Sequence, residues 1–216
     1  MNTLTTLAPL IDRLFQQETV ARAQLNDLMN SVTPAETARL LRSKTDYLEL
    51  YGRLKDFPLA VSPATGKLLY MLARHSRATS IVEFGTSFAI STLHLAAAVR
   101  DNGGGRIITS EFEPSKIALA REHLAAGGVA DLVEIREGDA LQTLAKDLPD
   151  SIDLVLLDGA KGLYNDILGL LESRLRPGAL VIADNADMCP EYIERVRSSG
   201  YVSIPFDGDV ELSMRS

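Results

Sequence analysis

The feature that most constrains the fold is an alternation between short aliphatic runs and stretches with a helical pattern. From Ser80 onward, each aliphatic run stops at a glycine or an acidic residue, and a helical stretch follows it. This alternation is typical of a parallel sheet that is covered by helices on both faces. The predicted strands are residues 80–84, 106–110, 133–137, 152–157 and 179–183. The sequence therefore predicts an α/β fold.

The two ends of the chain depart from this alternation. From Leu4 to about Tyr51, apolar residues recur at three- and four-residue spacing, which predicts helices. We expect residues 1–56 to form a helical lid or packing layer, and residues 57–216 to form the core of one single domain. At the other end, residues 201–214 contain two short strands around a turn-rich link, which predicts an antiparallel hairpin at the sheet edge.

Composition limits the classes of partner. The net charge of −7 lacks the surplus of Lys and Arg on which phosphate binding relies, so we expect no nucleic acid partner. No apolar run approaches the roughly 20 residues of a membrane span, so we expect no membrane partner. The single cysteine, Cys189, favours a reducing, cytoplasmic setting. A small molecule is therefore the expected partner.

Two neighbouring predicted strands end at carboxylates. Asp158 follows residues 152–157, and Asp184 with Asn185 follows residues 179–183. Because parallel strands end at one edge of a sheet, these side chains are expected around one point, where three oxygen ligands suit a hard divalent cation such as Mg²⁺. Lys161 would stand beside the cation. The alternative is that either aspartate only caps the next helix or turn.

The first predicted strand leads into a site for a nucleoside. Gly85 lies between this strand and a helix start, but the G-x-G-x-x-G pattern of a pyrophosphate-binding turn is missing. The turn therefore fits a nucleoside without a diphosphate. The next strand ends at Glu111, which can accept hydrogen bonds from the ribose hydroxyls, with Glu113 as an alternative. Residues 137–140 follow the third strand and can address the adenine edge.

Taken together, these motifs give the chain a family resemblance. From about Phe57 to Ser216 it resembles the class I S-adenosylmethionine (SAM)-dependent methyltransferases. More narrowly, it is similar to the cation-dependent O-methyltransferases, the group of catechol and caffeoyl-CoA O-methyltransferases and their small bacterial relatives. The segments that carry the resemblance are residues 82–87, Glu111, residues 138–140, residues 157–161 and residues 183–185.

The resemblance implies a Rossmann-like, mostly parallel sheet and a role for each matching residue. Glu83, Gly85 and Ser91 would hold the methionine part of SAM, and Val61 would close over the cofactor through its backbone. Glu111 would bind the ribose, and Asp139 with Ala140 the adenine. The cation ligands would be Asp158, which also borders the cofactor, Asp184 and Asn185, and Lys161 would be the catalytic base. Two departures concern the family pattern: Ala89 stands where a second glycine is frequent, and Gly159-Ala160 replaces an aromatic wall.

The expected activity is a SAM-dependent and divalent-cation-dependent O-methyltransferase acting on a small molecule with vicinal hydroxyls. A cation can lower the pKa of an acceptor hydroxyl, and Lys161 could take its proton if burial or the cation lowered the pKa of the lysine. A catalytically silent binding module and a nicotinamide-dependent oxidoreductase are the alternatives.

The N-terminal apolar stripe bears on assembly. We expect it either to cover the active site or to form the surface of a homodimer. Its members are Leu7, Leu10, Ile11 and Leu14.

Overall fold

The computed structural model describes residues 2–30 and 33–216. Its helices are α1 (Thr3–Asn30), α2 (Pro34–Arg42), α3 (Tyr47–Arg53), α4 (Pro63–His75), α5 (Ile90–Asp101), α6 (Pro114–Ala126), α7 (Ala140–Thr143), α8 (Tyr164–Leu171) and α9 (Pro190–Ser198). Its strands are β1 (Ser80–Phe84), β2 (Arg106–Glu111), β3 (Val133–Glu137), β4 (Ile152–Leu157), β5 (Leu175–Ala183), β6 (Tyr201–Phe206) and β7 (Val210–Arg215).

The strands form one sheet in the order β3-β2-β1-β4-β5-β7-β6. Strands β1 to β5 run parallel to one another, and β7 is antiparallel to both β5 and β6. The predicted α/β sheet with a C-terminal antiparallel hairpin is therefore confirmed. The strand order reverses between β1 and β4, which is where ligands bind in open α/β sheets.

Side chains of the central strands alternate between two hydrophobic clusters, one on each face of the sheet. In β4, Leu154 and Leu156 join the cluster under α1, α4 and α5, whereas Val155 and Leu157 join the cluster under α8 and α9. This alternation follows from the two-residue period of a strand. Because both faces are apolar and buried, only the strand ends are left for polar chemistry.

Helix α1 packs against α5 on one face of the sheet. Three members of the N-terminal stripe, Leu7, Ile11 and Leu14, are buried in the cluster that contains Leu93 of α5. The start of α1 is fixed by Asp101, whose carboxylate accepts hydrogen bonds from the Thr3 backbone at 3.0 and 3.1 Å. The stripe therefore neither covers the candidate site nor lies on the surface, and it is buried because an amphipathic helix packs on the nearest apolar face.

Strand β5 begins four residues earlier than predicted, at Leu175. Ile152 pairs with Leu175 and Leu154 with Leu180, so the register shifts between the two pairs. The shift accommodates Pro177 and its neighbour Gly178. These residue types normally interrupt a strand, so the sequence did not predict the first part of β5. None of the described helices is long and apolar enough to cross a membrane.

Candidate functional site

A cavity of about 610 Å³, counted with its open mouth, lies at the carboxyl ends of β1, β2 and β4. Helix α3 forms the wall opposite the sheet. The predicted residues in its lining are Gly85, Glu111, Asp139, Ala140 and Asp158.

The backbone of Gly85 lies close to the backbone of Asp158. Its φ of 102° lies in a region that side chains disfavour, and a Cβ there would come within 2.5 Å of the Asp158 carbonyl oxygen. The turn after β1 therefore requires glycine. Ser87 and Ala89 also have positive φ, 46° and 64°, and they lie near the positions that the dinucleotide pattern would fill with glycines.

Glu111 is held rigidly at the cavity wall. It is buried, and its carboxylate accepts hydrogen bonds from the backbone N–H groups of Ser87 (2.9 Å), Phe112 (2.9 Å) and Glu113 (3.1 Å). These bonds link the ends of β1 and β2 through one carboxylate. Its remaining lone pairs face a cavity, as a ribose-binding acid requires.

Asp139 has a structural role that is visible without a ligand. It caps α7 by accepting a hydrogen bond from the Leu141 backbone at 2.9 Å. Burial, followed by the charge of Asp139, raises the pKa of the Tyr47 hydroxyl on the facing helix α3. Tyr47 and Asp139 therefore face each other across the cavity.

Val61, Glu83 and Ser91 are buried beside this cavity but are not part of its lining. The Glu83 carboxylate accepts hydrogen bonds from Ser91 Oγ at 2.7 Å and from Thr92 Oγ1 at 2.6 Å. Burial raises the pKa of Glu83 to about 7, against the opposing effect of these hydroxyl donors. In this arrangement Glu83 supports the loop that carries Gly85, and its contact with a ligand stays a prediction.

The predicted cation ligands meet at the ends of β4 and β5. Leu157 pairs with Ala183, so Asp158 and Asp184 follow at adjacent positions. The Asp184 backbone N–H donates to the Leu157 carbonyl at 2.9 Å, which fixes this register up to the carboxylates. The parallel pairing therefore brings two acidic side chains together.

Lys161 and Tyr164 form hydrogen bonds with this pair of aspartates. Lys161 Nζ donates to Asp158 Oδ1 at 3.1 Å, to the Asp184 carbonyl at 3.2 Å and to Tyr164 Oη at 2.8 Å. Tyr164 Oη in turn donates to the same Asp184 carbonyl at 2.8 Å. Lys161 is 7% exposed and Tyr164 is 1% exposed, so this network is shielded from solvent.

The electrostatics of the pair fit a cation. Burial, followed by the charge of Asp158, raises the pKa of Asp184 to about 8, and burial also raises the pKa of Asp158. Two adjacent carboxylates that are largely shielded from solvent resist being ionised together, and a divalent cation held by them would offset that repulsion. The residues present therefore fit the predicted ion. Among the described residues, no group of three or more His, Cys, Asp or Glu side chains is arranged to hold a metal. The predicted site differs from such a group, because its third oxygen ligand after Asp158 and Asp184 would be the amide oxygen of Asn185.

Lys161 does not have the lowered pKa that a neutral base requires. Burial lowers the pKa of its ammonium, but the charges of Asp158, Tyr51 and Asp184 outweigh burial and raise it above the ordinary value. Burial alone therefore does not give Lys161 a lowered pKa in the arrangement seen here, because a carboxylate lies in direct contact with the ammonium.

Several lining residues are absent from the predictions made from the sequence. Tyr47 and Tyr51 of α3 lie one helical turn apart and close the cavity, with Tyr51 Oη 3.4 Å from the Gly159 carbonyl. Their i, i+4 spacing places both rings on one face of the helix, and this was the available signal. Lys116 also lines the cavity and is 3% exposed, in the first turn of α6, where an acidic residue is usually favoured.

Comparison with known proteins supports one family. A family model for a methyltransferase domain matches residues 82–186. The catechol O-methyltransferase of Niastella koreensis is 35% identical over 130 residues, which are 59% of this chain and 58% of that protein. The catechol O-methyltransferase of Mycobacterium tuberculosis is 32% identical over 158 residues, 73% of this chain and 67% of that protein. The chain thus spans less than two thirds of the first of these relatives.

The solved structures agree with the sequence relatives. An O-methyltransferase from Streptomyces achromogenes involved in tomaymycin synthesis, solved in complex with SAM, is 29% identical, with a TM-score of 0.66 over 84% of this chain and 95% of that chain. The resemblance inferred from the sequence motifs is confirmed. The chain belongs to the family of SAM-dependent O-methyltransferases that includes the catechol O-methyltransferases.

Proposed function

We propose that the protein transfers the methyl group of SAM to one oxygen of a small molecule with vicinal hydroxyls, with the help of a divalent cation. The observation that carries this proposal is the pair Asp158 and Asp184, two carboxylates at the strand ends beside the cavity, of which Asp184 is buried and the Asp158 side chain is 11% exposed. Catechol O-methyltransferases among the relatives make a catechol-like acceptor the favoured class.

The cofactor would occupy the cavity between the sheet and α3. Glu111 would bind the ribose hydroxyls, Asp139 and Ala140 would border the adenine, and Gly85 would let the backbone approach the methionine part. Val61, Glu83 and Ser91 would support this part from behind. Asp158 lines the same cavity, so it would border both the cofactor and the cation.

Asp158, Asp184 and Asn185 would hold the cation, with Mg²⁺ as the favoured ion because all three side chains offer oxygen ligands. When bound, the cation supplies a positive charge that favours the deprotonated form of an acceptor hydroxyl. Hydrogen bonds to Tyr164 Oη and to the Asp184 carbonyl orient Lys161 Nζ beside the proposed cation site.

Lys161 would move the proton of the acceptor. Its raised pKa depends on the negative charges of Asp158 and Asp184. Once those charges are neutralised, burial is the dominant influence that remains, and it lowers the pKa of an ammonium. The pKa of Lys161 would then fall, and a neutral Lys161 would accept the proton at Nζ.

A cation-depletion experiment tests this function. Methyl transfer from SAM to a panel of vicinal dihydroxy aromatics is followed by mass spectrometry, before and after chelator treatment and after Mg²⁺ is added back. We expect depletion to abolish turnover and Mg²⁺ to restore it, while calorimetry shows that SAM still binds. Asp184→Ala should lose turnover in the same way, whereas the matched variant Asp187→Ala, at an exposed position three residues later, should keep it.

Other outcomes of the same experiment separate the alternatives. Full turnover after exhaustive chelation would refute the cation site. Binding of SAM without turnover of any acceptor would identify a silent binding module, and binding of NAD or NADP in place of SAM would identify an oxidoreductase.

We further propose that the protein acts in the cytoplasm as a homodimer. Cys189 is a buried free cysteine, which suits a reducing compartment. Since the stripe of α1 is buried within the chain, the dimer surface would be the exposed apolar face of the C-terminal hairpin, at Val202, Ile204 and Met214.

A further inference from the structure

Asn185 is oriented by a residue from the turn between β6 and β7. Asn185 Nδ2 donates a hydrogen bond to Asp209 Oδ2 at 3.3 Å. The next backbone N–H, that of Ala186, donates to the Asp209 carbonyl at 2.6 Å. Asp209 therefore contacts the segment after β5 through both its side chain and its backbone.

This contact follows from the register of the sheet. Strand β7 runs antiparallel to β5, and Ala183 pairs with Glu211. Asn185 lies two residues after Ala183, and Asp209 lies two residues before Glu211. The same antiparallel register therefore places Asn185 opposite Asp209. The pairing thus delivers a carboxylate from the hairpin to the third predicted ligand of the cation site.

The register is fixed close to the turn. Glu211 is 1% exposed, and its carboxylate accepts hydrogen bonds from Arg197 Nε at 2.8 Å and from Arg197 Nη2 at 2.6 Å. Ser203 Oγ of β6 donates to the same carboxylate. Because these bonds tie β7 to both α9 and β6, Asp209 has little freedom to move away from Asn185.

The chemistry of an amide gives the contact a consequence. Carboxylate oxygens accept hydrogen bonds, so Asp209 attracts the nitrogen of the Asn185 side chain and repels its oxygen. Of the two orientations of the amide, the contact selects the one in which Nδ2 faces Asp209. Oδ1 is then directed away from Asp209, with no hydrogen-bond partner among the residues that the structure describes.

We propose that Asp209 is a positioning residue of the cation site, which orients the Asn185 amide so that Oδ1 is available to the ion. Partners of this kind are known to change metal affinity about 10- to 100-fold when they are removed. The inference rests on the proposed function, because it needs a cation at Asp158, Asp184 and Asn185. It adds that the β6–β7 turn sets the affinity for that cation.

The test is a measurement of Mn²⁺ affinity by electron paramagnetic resonance on the metal-free protein, without acceptor or turnover. We expect Asp209→Ala to raise the Kd at least about 10-fold. Asp209→Asn keeps an oxygen acceptor and should raise it only about two- to five-fold, the scale of one exposed charge. Asp207→Asn is the matched control, since it makes the same charge change in the same turn, and it should match the wild-type protein within about two-fold.

A double variant separates positioning from a general effect of the turn. In an Asn185→Ala background, Asp209→Ala should add little further loss of affinity, because the amide that it orients is gone. SAM affinity and the denaturation midpoint of the metal-free protein should stay unchanged in Asp209→Ala, which excludes a folding defect.

Each contrary result has its own meaning. Equal losses in Asp209→Ala and Asp209→Asn would overturn the positioning role, since charge alone would then carry the effect. An Asp209→Ala protein that binds Mn²⁺ as well as Asp207→Asn would overturn it too. If the wild-type protein itself bound no Mn²⁺, the proposed cation dependence would fail instead.

Discussion

At the residue scale, Glu83 shows how a buried acid links the site to stability. It has no exposed surface, and burial raises its pKa from the ordinary 4.5 to about 7. The folded state therefore takes up this proton more readily than the unfolded state. The contribution of Glu83 to stability is complete below pH 4.5 and is lost as the pH rises through 7.

We expect Glu83→Gln to remove this pH dependence. Between pH 5 and pH 8, the free energy of unfolding of the wild-type protein should fall relative to that of the variant, by about 2 to 3 kcal/mol. Urea denaturation of both proteins at the two pH values measures this difference. Parallel changes in the two proteins would show that Glu83 is ionised throughout.

At the scale of elements, α3 is the part of the N-terminal region that touches the site, whereas α1 is a packing helix. Tyr47 and Tyr51 close the cavity, and the ring of Tyr47 lies edge-to-face against Phe112 with 6.4 Å between the ring centroids. A cofactor bound in this cavity would therefore lie against the two tyrosines of α3. The helix is short, and its other face is exposed at Leu48.

We expect Tyr51→Ala to speed the release of S-adenosylhomocysteine about 5- to 30-fold, because an aromatic contact of roughly 1 to 2 kcal/mol is lost. Stopped-flow displacement measures the release rate. The matched control is Leu48→Ala, on the exposed face of the same helix, which should release the ligand at the wild-type rate. Equal rates in the two variants would show that α3 does not cover the ligand.

At the scale of the whole molecule, we expect light scattering to give twice the mass of one chain. Val202 pairs with Met214 across the hairpin, and Ile204 beside them is 56% exposed, so these side chains form a continuous apolar face. Ile204→Lys should shift the mass towards that of a monomer. Val20→Lys changes an even more exposed apolar residue, on α1, and should leave the mass unchanged. A wild-type monomer at every concentration would contradict the dimer.

The sequence predicts most of the sheet because its strands are aliphatic on both faces and end at glycine or acid. Asp158 and Asp184 could be placed together for the same reason, since the ends of parallel strands share an edge. The contribution of Asp209 could not be foreseen, because it depends on the antiparallel register of β7 against β5. The cavity wall from α3 depends likewise on contacts between segments far apart in the chain, and so do the contributions of Tyr51 and Asp184 to the raised pKa of Lys161.

The reversal of strand order between β1 and β4 has a consequence for how such a protein can diversify. Apart from Asp158, the residues proposed for the cofactor lie before residue 141, on β1 to β3 and the segments around them, whereas the cation ligands and Lys161 lie on β4, β5 and the segments after them. Under the proposed assignments, the chain is divided near residue 150 into two consecutive parts with separate tasks. Recombination between relatives near this residue could exchange the acceptor preference of one for that of another, while the methyl donor stayed the same.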